Sequence, residues 1–389
     1  MSVYERLGIP AVLNGVGPAT RLGGLSLHPE VWTAMQEALA VSVRMDALEV
    51  AAGKRLAELL GVPGVYVTSG ASAALFLATA ATMARGNSHL IDQLPDTTGM
   101  RHKVIIQSAQ RDPYDRAVTA AGATLVPIGY PDSTHPGELE RVLDDEVAAV
   151  LFRPGKHGNL LSLEATARIA HAHDIPVMID GAMFVPPLDR LHAFFEAGAD
   201  LVAVSGGKGF RGPQASGLLC GRSEYIDVIA LQHQDMDERD TTWPRSTDAG
   251  APLTPPRHGI GRPMKVGREQ IVGLLTAVER YVRDPGGDER AGTAELDAAE
   301  QALRANAALL ITRVHEPTLD VPGLHLDVRA AGADVDAVVH ALAKLDVPVY
   351  LGESEAWRGV LTVNGMALAA GQGEQIAEAI LRVIAENQT

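Results

Sequence analysis

Between about residues 48 and 230, short apolar runs alternate with amphipathic, helix-like segments, and most runs end at a turn rich in Gly, Pro, Asp or Ser. That order constrains the fold more than any other feature of the chain. Runs that are apolar on both faces and separated by helix-length segments are what a parallel sheet covered by helices requires. The runs are Val65-Tyr66-Val67, Lys103-Val104-Ile105-Ile106, residues 124–128, 147–152 and 177–179, Leu201-Val202-Ala203-Val204 and residues 216–220. An alanine-rich helix is expected from Ala71 to Ala84, and another after Pro113. The class is therefore α/β. At 389 residues and 46% hydrophobic content the chain can bury a large core and favours two domains. An arm over 1–24, a large domain over 25–262 and a smaller α+β domain over 263–389 are expected. Within the last, helices are expected near 266–283, 291–307, 335–344 and 374–386, and strands at 324–328, 347–351 and 360–363. The polar, proline-broken stretch from Gln232 to Pro263 reads as a long loop.

Three strand exits carry the chemistry. Lys208 lies in Ser205-Gly206-Gly207-Lys208-Gly209, directly after an apolar run, where flanking glycines leave its amine open to condense with an aldehyde. Asp180 ends the preceding run, one strand-helix-strand step earlier. A carboxylate for a pyridinium nitrogen and a lysine for an aldehyde carbon are the two protein groups that pyridoxal-phosphate chemistry needs. Val67-Thr68-Ser69-Gly70-Ala71-Ser72 stands between a strand and a helix, where small residues let backbone N–H groups meet a phosphate. By itself that segment is equally an ordinary helix cap through Thr68 or Ser69. Ligands of open parallel sheets bind beyond the carboxyl ends of the strands, where all three segments fall.

These segments, with Asn14-Gly15, Thr20-Arg21-Leu22-Gly23-Gly24, Arg211-Gly212-Pro213-Gln214 and residues 259–267, resemble the fold-type-I pyridoxal-phosphate enzymes. Within them the chain is similar to the group of bacterial selenocysteine synthase and D-glucosaminate-6-phosphate ammonia-lyase-like proteins. The resemblance covers nearly the whole chain. It implies a fold-type-I transferase fold, with a large, mostly parallel sheet domain and a smaller carboxyl-terminal one, and pyridoxal 5'-phosphate as cofactor. It further implies that Lys208 holds the cofactor as a Schiff base and later shuttles a proton, and that Asp180 keeps the ring nitrogen protonated. Ser69, Gly70, Ala71 and Ser205 would bind the phosphate, and Ala182 would pack on the ring. Gln110 would also belong to the cofactor-binding residues, but the chain departs from the group there: relatives usually place a histidine on the cofactor face, and an amide hydrogen-bonds but neither stacks nor titrates as imidazole does. The resemblance also implies a homodimer or larger homo-oligomer, with residues 232–263 reaching a neighbour's site.

Arg21, Arg262 and Lys265 are candidates for a substrate carboxylate or phosphate; the two arginines serve equally well as ties within the structure. Arg211 is placed either to bind an anion or to brace its loop. His28, His157, His233 and His258 read as solvated loop histidines, Trp243 and Trp357 as packing residues, and Cys220 as a packed strand thiol. No metal-binding spacing is present. A net charge of −15 without a basic tract argues against a nucleic-acid surface. One cysteine, no signal-peptide pattern at the amino terminus and no apolar stretch approaching the ~20 residues of a membrane span indicate a cytoplasmic protein with no membrane partner. The expected activity is a pyridoxal-phosphate lyase that removes the α-proton of a small amino acid or amino-sugar acid and eliminates. The alternatives are a racemase or aldolase on an amino acid, an aminoacyl-tRNA-directed selenium transferase, and an inactive cofactor-binding regulator.

Overall fold

A computed structural model describes residues 2–155, 158–234, 238–239, 241–242, 258–316 and 318–387. His157 and Trp243 lie outside the described residues, as does much of the loop expected over 232–263. The chain divides into two compact units, Leu27–Val282 and Met1–Ser26 with Arg283–Thr389.

In the larger unit the apolar runs become seven strands: β1 (Val65–Thr68), β2 (Lys103–Gln107), β3 (Thr124–Ile128), β4 (Val147–Phe152), β5 (Val177–Asp180), β6 (Leu201–Ser205) and β7 (Gly217–Gly221). They form one sheet in the order β1-β7-β6-β5-β4-β2-β3. Six strands share one direction. The exception is β7, which pairs antiparallel with both β1 and β6. The length of its connection explains the reversal: residues 206–216 hold no helix to carry the chain back across the sheet, so the strand returns as the second arm of a hairpin. The sheet is thus mostly parallel, as the resemblance implies, with β7 its one reversed strand.

Two hydrophobic clusters cover the two faces of the sheet. On one face lies α1 (Met45–Leu60), packed against β1. On the other lies α2 (Ala71–Ala84), buried from Ala73 to its end. A helix apolar all round belongs in an interior, and its alanines and threonines let it approach both the sheet and the helix α3 (Ser223–His233). The threonine hydroxyls cost little there, because Thr79 and Thr82 donate to the carbonyls of Leu75 and Thr79. Cys220 is fully buried in β7, and burial pushes its thiol up to about 12. His233 is no solvated histidine: it is 4% exposed and ends α3 inside the unit. His28 caps the helix Pro29–Leu39, accepting from the N–H of Glu30 at 3.4 Å.

The smaller unit holds an antiparallel sheet of β8 (Leu310–Glu316), β9 (Val321–Asp327) and β10 (Val360–Asn364), with β9 central. The strand Val349–Leu351 pairs parallel with Leu13–Gly15, so the amino-terminal residues belong to this unit. Helices Gly287–Leu303, Val335–Leu342 and Gln372–Glu386 bury their apolar stripes in a third cluster. Trp357 is 79% exposed, so it is a surface residue and not a packing one. Among the described residues no helix is long and apolar enough to cross a membrane.

Two positions test this packing. A Cβ on Gly217 would lie 2.5 Å from the carbonyl carbon of Gly70, so the first residue of β7 must be glycine for the start of α2 to sit where it does. Gly217→Ala is expected to cost about 1–3 kcal/mol in urea unfolding; an unchanged midpoint would mean that the contact yields freely. Glu49, on α1, is 4% exposed, and neither carboxyl oxygen has a hydrogen-bond partner at normal distance. Burial pushes this acid up to about 8, with the Val67 amide opposing weakly. A carboxyl raised in the fold contributes stability that is fully present below its ordinary value near 4.5 and is lost as pH rises through 8. Glu49→Gln should therefore gain on the parent protein between pH 5 and pH 8.5, measured as the difference in urea midpoint. The same difference at both pH values would contradict it.

Candidate active site

Because β1, β2, β4, β5 and β6 run the same way, their carboxyl ends share one edge of the sheet. Ser69 follows β1, Gln110 lies just after β2, Arg153 follows β4, Asp180 ends β5, and Lys208 lies three residues past β6. This is the edge at which ligands of open sheets bind. It also collects the side chains singled out in the sequence: Lys208, Asp180, Ala182, Ser205, Gln110 and the segment Ser69-Gly70-Ala71.

Gly70 is the N-cap of α2, with φ 137°, and no side chain caps this helix. A Cβ built on Gly70 would meet nothing within 4 Å, so the space beside the first turn is open. An uncapped N-terminus with free space beside it fits a phosphate, through its N–H groups and its dipole. The expected cap through Thr68 or Ser69 is not made. Thr68 turns its hydroxyl to the Gly70 carbonyl at 3.0 Å, and Ser69 donates to the Met264 carbonyl at 2.9 Å, so neither caps the helix.

Met264 is a junction. Its carbonyl also meets Nε2 of His233 at 2.9 Å. A carbonyl can only accept, so Nε2 carries the proton and Nδ1 accepts from the Tyr66 hydroxyl, 2.9 Å away. Gln234 donates to the same hydroxyl at 3.1 Å. Burial lowers the pKa of His233, which keeps this ring neutral and the chain of donors consistent. The segment that carries Arg262 and Lys265 is thereby tied to the Ser69 loop; Lys265 is exposed and Arg262 half-buried. Arg21 belongs to the smaller unit, where it pairs with Glu353 at 3.4 Å and lies 5.7 Å from the ring centre of Tyr350.

Lys208 is partly buried, with Nζ 2.7 Å from the Met183 sulfur. Burial lowers its pKa and the charge of Asp180 raises it, with burial prevailing. The chain continues from it through Arg211, whose φ is 54° and whose N–H closes a turn onto the Lys208 carbonyl at 2.8 Å. Asp180 accepts from the Ala182 N–H through Oδ1 at 3.3 Å and from Arg153 Nε through Oδ2 at 3.1 Å. A carboxylate has lone pairs beyond these two bonds, so Oδ1 can still meet a ring N–H. The open helix start, the half-buried amine and the anchored carboxylate fit the three ends of pyridoxal phosphate.

Sequence reasoning missed Arg153, which is 4% exposed at its side chain and ion-paired with Asp180, Asp115 and Asp112. A signal was available: Phe152-Arg153 puts a charge at the end of a wholly apolar strand, as Asp180 does.

Comparison with known proteins agrees with this geometry. The chain is 28% identical to the D-glucosaminate-6-phosphate ammonia lyase of Salmonella typhimurium, over 99% of this chain and 98% of that one. It is 24% identical to the L-seryl-tRNA(Sec) selenium transferase of Caldanaerobacter subterraneus, over 97% and 83%. A solved structure of D-glucosaminate-6-phosphate ammonia-lyase superposes with a TM-score of 0.84 at 25% identity, over 100% of this chain and 99% of that one. The aminotransferase class-V family model matches residues 37–264, the stretch that contains every strand of the large sheet. With its mostly parallel large sheet and its smaller antiparallel one, the chain belongs to the aminotransferase class-V family of fold-type-I, pyridoxal-phosphate-dependent enzymes.

Proposed function

We propose that this enzyme is an ammonia-lyase that acts on an amino-sugar acid by α-proton abstraction and elimination. The observation that carries this reading is the extent of the similarity to the Salmonella lyase, which runs through 99% of this chain and 98% of the other. In this reading Lys208 holds the aldehyde carbon of the cofactor, Asp180 faces its ring nitrogen, and Gly70, Ala71 and Ser205 take its phosphate. Ser69 spends its proton on Met264 and supports the phosphate loop indirectly. Ala182 fixes the carboxylate through its N–H.

When bound, pyridoxal phosphate supplies an electron sink for negative charge at the substrate α-carbon. The protein supplies the rest. Partial burial makes the amine of Lys208 easier to deprotonate than an exposed lysine, so Nζ can take the α-proton and return it. The Met183 thioether beside it is a weak acceptor that does not hold the amine protonated as a carboxylate would. Arg262 and Lys265 stand on the segment that Met264 ties to the phosphate loop, and they are the candidates in this unit for an anionic group of the substrate. The proposal includes assembly as a homodimer or larger homo-oligomer in the cytoplasm, where a single buried thiol needs no oxidant.

Lys208→Ala is expected to abolish the visible or near-ultraviolet band of the bound cofactor and all turnover. Incubated with D-glucosaminate 6-phosphate, its unphosphorylated form and simple amino acids in D₂O, the parent enzyme should release ammonia and a keto acid from an amino-sugar acid. Recovery of α-deuterated, inverted substrate without ammonia would identify a racemase and sink the lyase reading. The lowered pKa of Lys208 sets a sign as well: loading of the cofactor-free protein should speed up as pH rises, with a midpoint below the ordinary 10.5 of a lysine. A midpoint at or above that value would place the reacting amine in water.

A further inference from the structure

The deepest charge at the sheet edge has no part in the roles assigned so far. Arg153 is buried, and its guanidinium is divided among three directions. Nε donates to Asp180 Oδ2 at 3.1 Å. Nη1 donates to Asp115 Oδ1 and, at 3.1 Å, to the Gln110 carbonyl. Nη2 lies 3.3 Å from Asp112 Oδ1 without making a hydrogen bond. The backbone is held too: the N–H of Arg153 donates to Oε1 of Gln110 at 3.1 Å, and Gln110 is 1% exposed.

A buried guanidinium must be matched by negative charge. Asp180 alone would match it, but that pairing would cancel the charge through which Asp180 can hold a ring N–H. The cluster avoids this. Asp115 pairs with both Arg153 and Arg111, and its carboxyl stays below the usual range because these two cations outweigh the burial that opposes them. With Asp112, two cationic and three carboxylate side chains leave the group with a net charge of −1. Arg153 therefore orients Asp180 without neutralising the edge. Its planar fork suits the task, since it can meet Asp180, Asp115 and the Gln110 carbonyl at fixed angles, and an ammonium cannot reproduce them.

We propose that Arg153, pinned by Gln110 and counter-charged by Asp115 and Asp112, is a positioning residue that determines which oxygen of Asp180 meets the ring nitrogen of pyridoxal phosphate and how firmly. Oδ2 is committed to Arg153 and Oδ1 is presented to the cofactor. Gln110 acts one step further back, through the backbone and the carbonyl contact of Arg153. The inference rests on the reading that Asp180 faces the ring nitrogen.

The test uses the full chain with pyridoxal phosphate, titrated into cofactor-free protein for Kd, and ring-nitrogen-15-labelled cofactor for the resonance of the bound nitrogen. Arg153→Lys, with unchanged circular dichroism, is expected to weaken Kd by about tenfold and to move the nitrogen resonance. In an Asp180→Asn background the same substitution should change Kd by less than about twofold, because the residue it acts through is gone. An unmoved resonance, or an equal factor in both backgrounds, would overturn the proposal and leave Arg153 a structural residue. If Arg153→Lys fails to fold, Gln110→Ala decides by the same resonance: it removes the pin and leaves all five charges, and a resonance that stays put overturns the proposal. Asp180→Asn alone separates the two levels. Should it leave the resonance unmoved, the assignment of Asp180 fails, and the proposal with it; should it move the resonance while the Arg153 and Gln110 variants do not, only the proposal fails.

Discussion

The parallel pairing of β5 with β6 is the constraint from which the rest follows. It sets Asp180 opposite Ala203, so the carboxylate lies at the end of one strand and Lys208 lies five residues beyond its register partner, past the end of the next. The antiparallel return of β7 then brings Gly217 opposite both Ser205 and Thr68. Lysine, carboxylate and helix start are thus held by backbone ladders in which every participating strand is buried. A site built on strand ends inherits the rigidity of the sheet, whereas one built on loops would depend on packing alone.

The chemistry of the amine depends on what surrounds it more than on the lysine itself. An exposed ammonium is stabilised by water, and a buried one is stabilised by whatever charge lies near. At Lys208 the amine lies against a thioether sulfur, and the carboxylate that could hold the proton, Asp180, is itself engaged by Arg153. The two effects act in one direction. They leave the amine less strongly protonated than burial beside a free carboxylate would, which is the state needed for a nucleophile that must also return as a base.

The parts of this protein legible in its sequence are those whose signal is local. The buried strands announce themselves as apolar runs because both their faces are covered. Lys208 and Asp180 stand out because a charge at the end of such a run has no packing reason to be there. Direction is another matter: nothing in Gly217-Leu218-Leu219-Cys220 says that β7 runs backward, and only the missing crossover helix before it implies the reversal. β8 was invisible for the opposite reason, since Leu310–Glu316 is largely exposed and its Thr, Arg, His and Glu residues leave no apolar alternation to read. His233 looked like a loop residue beside a proline-broken stretch, yet α3 carries it to the interior, where Tyr66 and the Met264 carbonyl satisfy both ring nitrogens.

Arg153 shows where local reading fails. Its partners stand 38 and 27 residues away, on elements that become neighbours only when β2, β4 and β5 line up. In the sequence, Gln110 stands out for what an amide cannot do on the face of a ring. In the structure its oxygen is turned toward the backbone of Arg153, and its own carbonyl receives the guanidinium. The two observations concern one residue at two levels. A side chain compared with its counterparts is judged by the group it lacks, but a side chain within a buried network is judged by the bonds it completes. Removing either the pin or the counter-charges would leave a buried cation with fewer partners, and the nearest group able to respond is the carboxylate on which the site depends.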